Sequence, residues 1–228
     1  MNKFLAFTLA IGICFSVGIL HGVEAQEQIS PSSPAYQKAF TIAKVVDELI
    51  RATRKHYTDM VVKKLKGEGA GASLEYKADK GFVPLPAVFM RRVAFETAFQ
   101  QGRADEWLYN VALLSRWNLN EDQGLQGDFD QRGWEFLAKQ QKDYLASGKP
   151  LKNIIWEPYI EAGRLRGQRV LRYLSADPAS AKPCVSCHNA WERKEEIQNK
   201  RAKQGIEVGK VFERHELLGA LSITVPLQ

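Results

Sequence analysis

Cys184-Val185-Ser186-Cys187-His188 is the stretch of this 228-residue chain whose residue types and spacing can do chemistry. Two thiols with two residues between them, followed at once by an imidazole, form the pattern of a c-type haem attachment site. The spacing lets two sulfurs reach vinyl groups on neighbouring edges of a porphyrin while the next side chain turns beneath the iron. His188 is then the proximal iron ligand, and the motif implies one covalently held haem c. Other readings stay open. A disulfide between Cys184 and Cys187 would leave the histidine without a task. A thiol redox pair uses the same spacing, although thioredoxin-like folds place it after an early strand, and here it follows a loop near the C-terminus. A zinc site ordinarily takes four ligands. Beyond the first 25 residues the chain offers only Cys184, Cys187, His56, His188 and His215.

The start of the chain reads as an export signal. Lys3 supplies a positive start, Phe4 to Leu20 is largely apolar, and Val23-Glu24-Ala25 presents small residues where a signal peptidase would cut. Residues 1–25 are thus expected to be a signal peptide, with Cys14 inside it. An uncleaved anchor is the alternative, since about 17 apolar residues reach the lower edge of spanning length. Haem attachment takes place outside the cytoplasm, so a periplasmic or otherwise exported protein is expected, with no stable membrane span after cleavage.

Composition narrows the class. Hydrophobic residues make up 45% and charged residues 25%, the balance of one globular domain rather than of a collagen-like, low-complexity or multi-span protein. The formal charge of +6 comes without a long Lys/Arg block, so no nucleic-acid arm is present. A basic balance of this size equally suits an anionic membrane surface, an acidic partner or an anionic cofactor.

The elements that must position the motif follow from periodicity and breakers. Residues 26–33 are polar and aperiodic, a tether. Ser33-Pro34 is a helix start, and the apolar stripe through Tyr36, Phe40, Ala43, Val46, Ile50, Tyr57 and Met60 predicts one long amphipathic helix to about Lys66. A short strand is expected at 74–76 and helices over 87–101 and 133–146. Further strands are expected within 107–114, over 154–160 and 168–174, with a turn around Gly163 and Gly167, and over 217–225. Residues 118–131 read as a loop, and 192–203 as a solvated helix or loop. No linker divides residues 34–228, so a single α+β domain on a mainly antiparallel sheet is expected.

The order of these features resembles the bacterial c-type haem domains with a PAS-like sensor fold, a family long described only as a domain of unknown function. The likeness runs from Ile50-Arg51-Ala52 and Tyr57-Thr58, through Pro84-Leu85-Pro86-Ala87 and Leu113-Leu114-Ser115-Arg116-Trp117, to Cys184-Val185-Ser186-Cys187-His188-Asn189 and the closing 218–227. One departure is the charged stretch Trp191 to Gly209, longer than the family pattern. The resemblance implies a five-stranded antiparallel sheet flanked by helices, with the long N-terminal helix near the haem. A side chain from that helix is then a candidate for the iron's sixth position: His56 or Met60, with Tyr57 weaker. His215, just before the last strand, is a further candidate. Arg172 and Tyr173 are candidates for bonding a haem propionate.

The sixth ligand decides the function. Two strong protein ligands favour electron transfer, whereas an open or weakly filled side admits a diatomic gas. No distal acid/base pair is recognisable, so an enzyme is not expected. The chain reads as an exported haem-based redox or gas sensor working through a separate redox or signalling partner. A small electron carrier is the alternative, and a periplasmic thiol oxidoreductase the third.

Overall fold

The computed structural model describes residues 29–78, 80–100 and 107–228. The expected signal peptide lies outside the described residues. The Ser33 hydroxyl accepts from the Tyr36 N–H at 3.3 Å and Pro34 fills the first helical position, so α1 runs Pro34–His56. It buries Ala39, Ala43, Val46, Asp47 and Ile50, one face at helical spacing. The expected helix does not continue unbroken to Lys66. Residues Tyr57–Val62 form a π-helical turn, closed by the Lys63 N–H bonding to the Thr58 carbonyl, before α2 resumes at Lys63–Gly67. A π-turn shifts the phase of a stripe without interrupting it, so hydrophobic periodicity does not reveal it.

The fold is α+β, but the main sheet has four strands among the described residues, not the expected five. Its order is β3 (Asn110–Leu114), β6 (Leu217–Pro226), β5 (Gln168–Pro178), β4 (Tyr159–Leu165), antiparallel throughout. The strand expected at 74–76 is a turn. Its neighbours β1 (Gly71–Ser73) and β2 (Phe82–Pro84) instead form a separate parallel pair. Pro84 and Pro86 lack the N–H that a longer ladder would need. The β4–β5 turn falls at Arg166-Gly167, both at positive φ, while Gly163 stays inside β4.

Helices cover both faces of the sheet. Leu171 and Tyr173 of β5, with Leu221, Ile223 and Val225 of β6, pack against α1 and against Met90 of α3 (Pro86–Gln100). The alternate residues Leu174, Ala176 and Ala220 pack against Phe129, Trp134 and Leu137 of α4 (Gly127–Ala146). Strand β6 lies between two neighbours and under both helix layers, so nine of its ten residues are buried. Two polar links register α1 on β5. Buried Asp47 accepts from Ser175 Oγ at 2.7 Å and from the Tyr173 hydroxyl at 3.3 Å, and two turns later Arg54 donates to Asp177.

Candidate functional site

The motif is delivered by the end of β5. Pairing with β6 slips after Asp177, so that Pro178 faces Leu217 and Leu218 is skipped. A bulge of this kind re-aims the chain, and α5 (Lys182–Glu192) follows at once, with proline in its first turn. Cys184, Cys187 and His188 therefore sit on one helix rather than at the end of a loop. The cysteines are three apart, hence on one helical face. Both are free and partly buried.

The bed beneath them is a third small core of Ala179, Phe212 and the skipped Leu218, against which Trp117, Cys184 and Val185 pack. The His188 ring meets Phe212 edge-on at 5.9 Å between centroids, and Phe212 meets Trp117 in the same way at 5.5 Å. Asn189 fixes this arrangement. Its Nδ2 donates to the Phe212 carbonyl at 3.1 Å and its Oδ1 accepts from the Phe212 N–H at 2.8 Å, as a neighbouring strand would.

His188 is held neutral. Burial pulls its pKa down to about 4, against the pull of Asp177 and aided by the charges of Arg54 and Arg201. Its Nδ1 atom is shut off from solvent and has no hydrogen-bond partner. Burial also raises the Cys187 thiol above its ordinary range, although Lys66, a bond with Trp191 and the charge of Lys194 pull the other way. Burial works against the charge of Arg54 too, but Asp177 and Cys184 outweigh it and hold the guanidinium above its usual range.

The other candidate residues fall elsewhere. His56 is exposed and Met60 is 67% exposed, so the solvent face of α1 and its π-turn carries both. Tyr57 turns inward, donating its hydroxyl to the Pro84 carbonyl at 2.8 Å and stacking on Phe89 at 4.5 Å. His215 stands in the turn before β6 at φ 71°, its N–H bonded to the Ala179 carbonyl at 3.0 Å, beside the segment that leads into α5. Arg172 is engaged with Asp130 at 3.2 Å and lies 4.0 Å over the Phe129 ring. Tyr173 is engaged with Asp47 on the opposite face of the sheet. From the last turn of α1, Arg54 pairs with Asp177 at the end of β5, a link that sequence reasoning passed over. The signal was the place of Arg54 one turn beyond Ile50 on the buried stripe.

The stretch read as solvated is an anchor. In α6 (Glu195–Gln204), Ile197 and Arg201 are buried, and Arg201 binds Glu192, the last residue of α5. The same guanidinium donates to the carbonyls of Trp117 and Asn118, each at 2.9 Å. The motif helix is thereby tied to the chain leaving β3.

These residues fit a covalently held haem. Two free thiols share a face, a neutral imidazole adjoins them, and its buried Nδ1 is an orphan of the kind that calls for an explanation. Cys184 and Cys187 would carry the thioethers and His188 the iron. Among the described residues no three of His, Cys, Asp and Glu gather as a metal-holding group. A haem iron takes only its axial ligands from the chain. Among the described residues, too, no helix is long and apolar enough to cross a membrane.

No curated protein and no solved structure matches this sequence. A family model does match, over residues 26–226: this chain belongs to the Tll0287-like family.

Proposed function

We propose that this chain is an exported monohaem c-type protein that senses redox state or a diatomic gas through an iron held by His188. The observation that carries the reading is the Cys184-Cys187-His188 constellation on one helix, with a neutral imidazole whose buried Nδ1 has no partner. A bound haem would supply a one-electron iron couple and an axial position for a gas. The chain's own part is to hold the imidazole neutral and to back it with Phe212. A four-stranded antiparallel sheet crossed by a long N-terminal helix is compatible in outline with a PAS-like sensor one strand short.

One observation supports sensing over simple electron carriage: the two sixth-ligand candidates on the N-terminal helix and its π-turn, His56 and Met60, face solvent. His215, beside the segment that leads into α5, is the remaining imidazole. An iron without a second strong protein ligand is open to small molecules. A thiol oxidoreductase is disfavoured by the place of the pair, which follows β5 rather than an early strand.

The test is made on protein matured in a host with c-type haem ligation machinery. A pyridine haemochrome spectrum after denaturing extraction is expected to show haem retained on the polypeptide, and carbon monoxide is expected to bind the reduced protein rapidly. Haem that extracts freely overturns the reading. Retained haem that ignores carbon monoxide rules out the gas and leaves a redox sensor or an electron carrier.

A further inference from the structure

Helix α1 buries one face on the sheet and carries a second, largely apolar row on the face turned away from it. Val45 and Leu49 are 58% and 62% exposed, and Ala52, His56 and Met60 further along are exposed as well. These five residues follow one another at steps of four, three, four and four, with His56 as the polar member. Alternating steps of three and four make the seam along which two helices pack. The row is distinct from the buried stripe of Ala39, Ala43, Val46 and Ile50. A second successive step of four would drift off the row on a plain α-helix, and the slower winding of the π-turn at Tyr57–Val62 brings Met60 back to it. The row occupies about 24 Å of helix, and among the described residues no element covers it.

The charges beside the row identify the cover. Lys44, Glu48, Lys55 and Asp59 line one flank, at steps of four, seven and four. Glu48 and Lys55 lie equally far to either side of the point midway between Arg51 and Ala52, and Lys44 and Asp59 do the same further out. Each couple joins opposite charges. An antiparallel second copy of α1, related by a two-fold axis through that midpoint, therefore sets Glu48 against Lys55 of the partner subunit and Lys44 against Asp59 of the partner subunit. A parallel copy in register would set each charge level with its own kind. The flank is available for this. Glu48 has no ion pair among the described residues, and Lys55 meets Asp59 in a pair that is 67% and 42% exposed, so it holds weakly and leaves donors free. Arg51, beside the axis, is taken up by Asp47 at 2.8 Å.

We propose that the outer face of α1 is the contact through which two copies of this chain associate as an antiparallel, two-fold symmetric dimer. The same surface then serves both subunits, as such symmetry requires. The apolar row supplies the buried area, and the flanking charges set the direction and register. The inference stands apart from the haem reading, because association is read as mass whether or not haem is retained.

The experiment is sedimentation velocity on the full exported chain over a wide range of concentration, with far-UV circular dichroism to check that each variant keeps the fold. The parent is expected to pass from monomer to dimer as concentration rises. Leu49→Lys changes a side chain that the single subunit leaves in water, and is expected to keep the fold and raise the dimer dissociation constant by about tenfold or more. Glu48→Lys and Lys55→Glu each act twice across the axis and are each expected to raise it by about fivefold or more. The double variant Glu48→Lys/Lys55→Glu restores opposite charges and is expected to recover most of the affinity. A folded parent that stays monomeric throughout overturns the inference, and one that instead sediments with phosphatidylcholine vesicles gives the row to a membrane surface. A dimer indifferent to Leu49→Lys, or a double variant no tighter than the singles, overturns it as well.

Discussion

Arg201 and Glu192 form an ion pair that is almost wholly shut off from water, with side-chain exposures of 0% and 2%, and the guanidinium donates to the carboxylate at 2.6 Å from Nη2 and 3.1 Å from Nε. A buried pair adds little stability over a well-packed apolar replacement, but breaking it strands a charge. Because the same Arg201 holds the carbonyls of Trp117 and Asn118, its loss would also free the chain that leaves β3.

Arg201→Met is therefore expected to destabilise the protein by about 3–5 kcal/mol, since Glu192 is left buried and unpaired. Urea unfolding measures this. Arg201→Met/Glu192→Leu is expected to recover part of the loss, and a single variant within about 1 kcal/mol of the parent would contradict the assignment.

Gly133 lets α4 lie close against the sheet. A Cβ at this position would overlap Leu174 Cδ2 and come within 3.0 Å of Tyr159 Cδ1, and Leu174 is fully buried. Overpacking of about 1–3 kcal/mol outweighs or matches the roughly 1 kcal/mol that alanine gains over glycine inside a helix. Gly133→Ala is expected to be destabilising, and Gly163→Ala, inside β4 with nothing within 4 Å, is expected to be stabilising by about 0.5–1 kcal/mol. Equal melting temperatures for the two variants would refute the close packing.

The pH dependence of stability has a readable contribution from Asp130. Burial raises its pKa, and a backbone bond from Gln126 and the charge of Arg172 only partly oppose this. Between the unfolded and folded values the native state binds more protons, so this group's contribution is present at low pH and is lost as pH rises through the raised value. Asp130→Asn is expected to gain on the parent between pH 3.5 and pH 6.5 in paired urea titrations. A difference that stays constant, or moves the other way, would count against it.

Much of the scaffold was legible because it rests on local chemistry. Ser33-Pro34 marked the start of α1, the glycines marked breaks, and the apolar run of β6 marked a strand. The Cys184-Val185-Ser186-Cys187-His188 pattern was legible for the same reason, as a contiguous motif. What escaped depends on tertiary pairing. Glu192 and Arg201 look solvated in a charged stretch because hydropathy does not show that two opposite charges are buried together. Asn189 looks like an ordinary surface amide until Phe212 lies beside it. The start of α4 at Gly127 was hidden by Asp128 and Asp130, whose negative charges suit a helix N-terminus but read as loop. His56 and Met60 share a helix with Arg54, but only the helix phase, read from its buried residues, tells which of them faces inward.

The central claim is that the polypeptide carries a haem through Cys184 and Cys187, and the intact mass of denatured protein matured with haem ligation machinery tests it most directly. The account predicts a mass higher than the bare chain by one haem, lost in Cys184→Ala/Cys187→Ala. A mass equal to the bare chain, or lower by two hydrogens as in a disulfide, would contradict it.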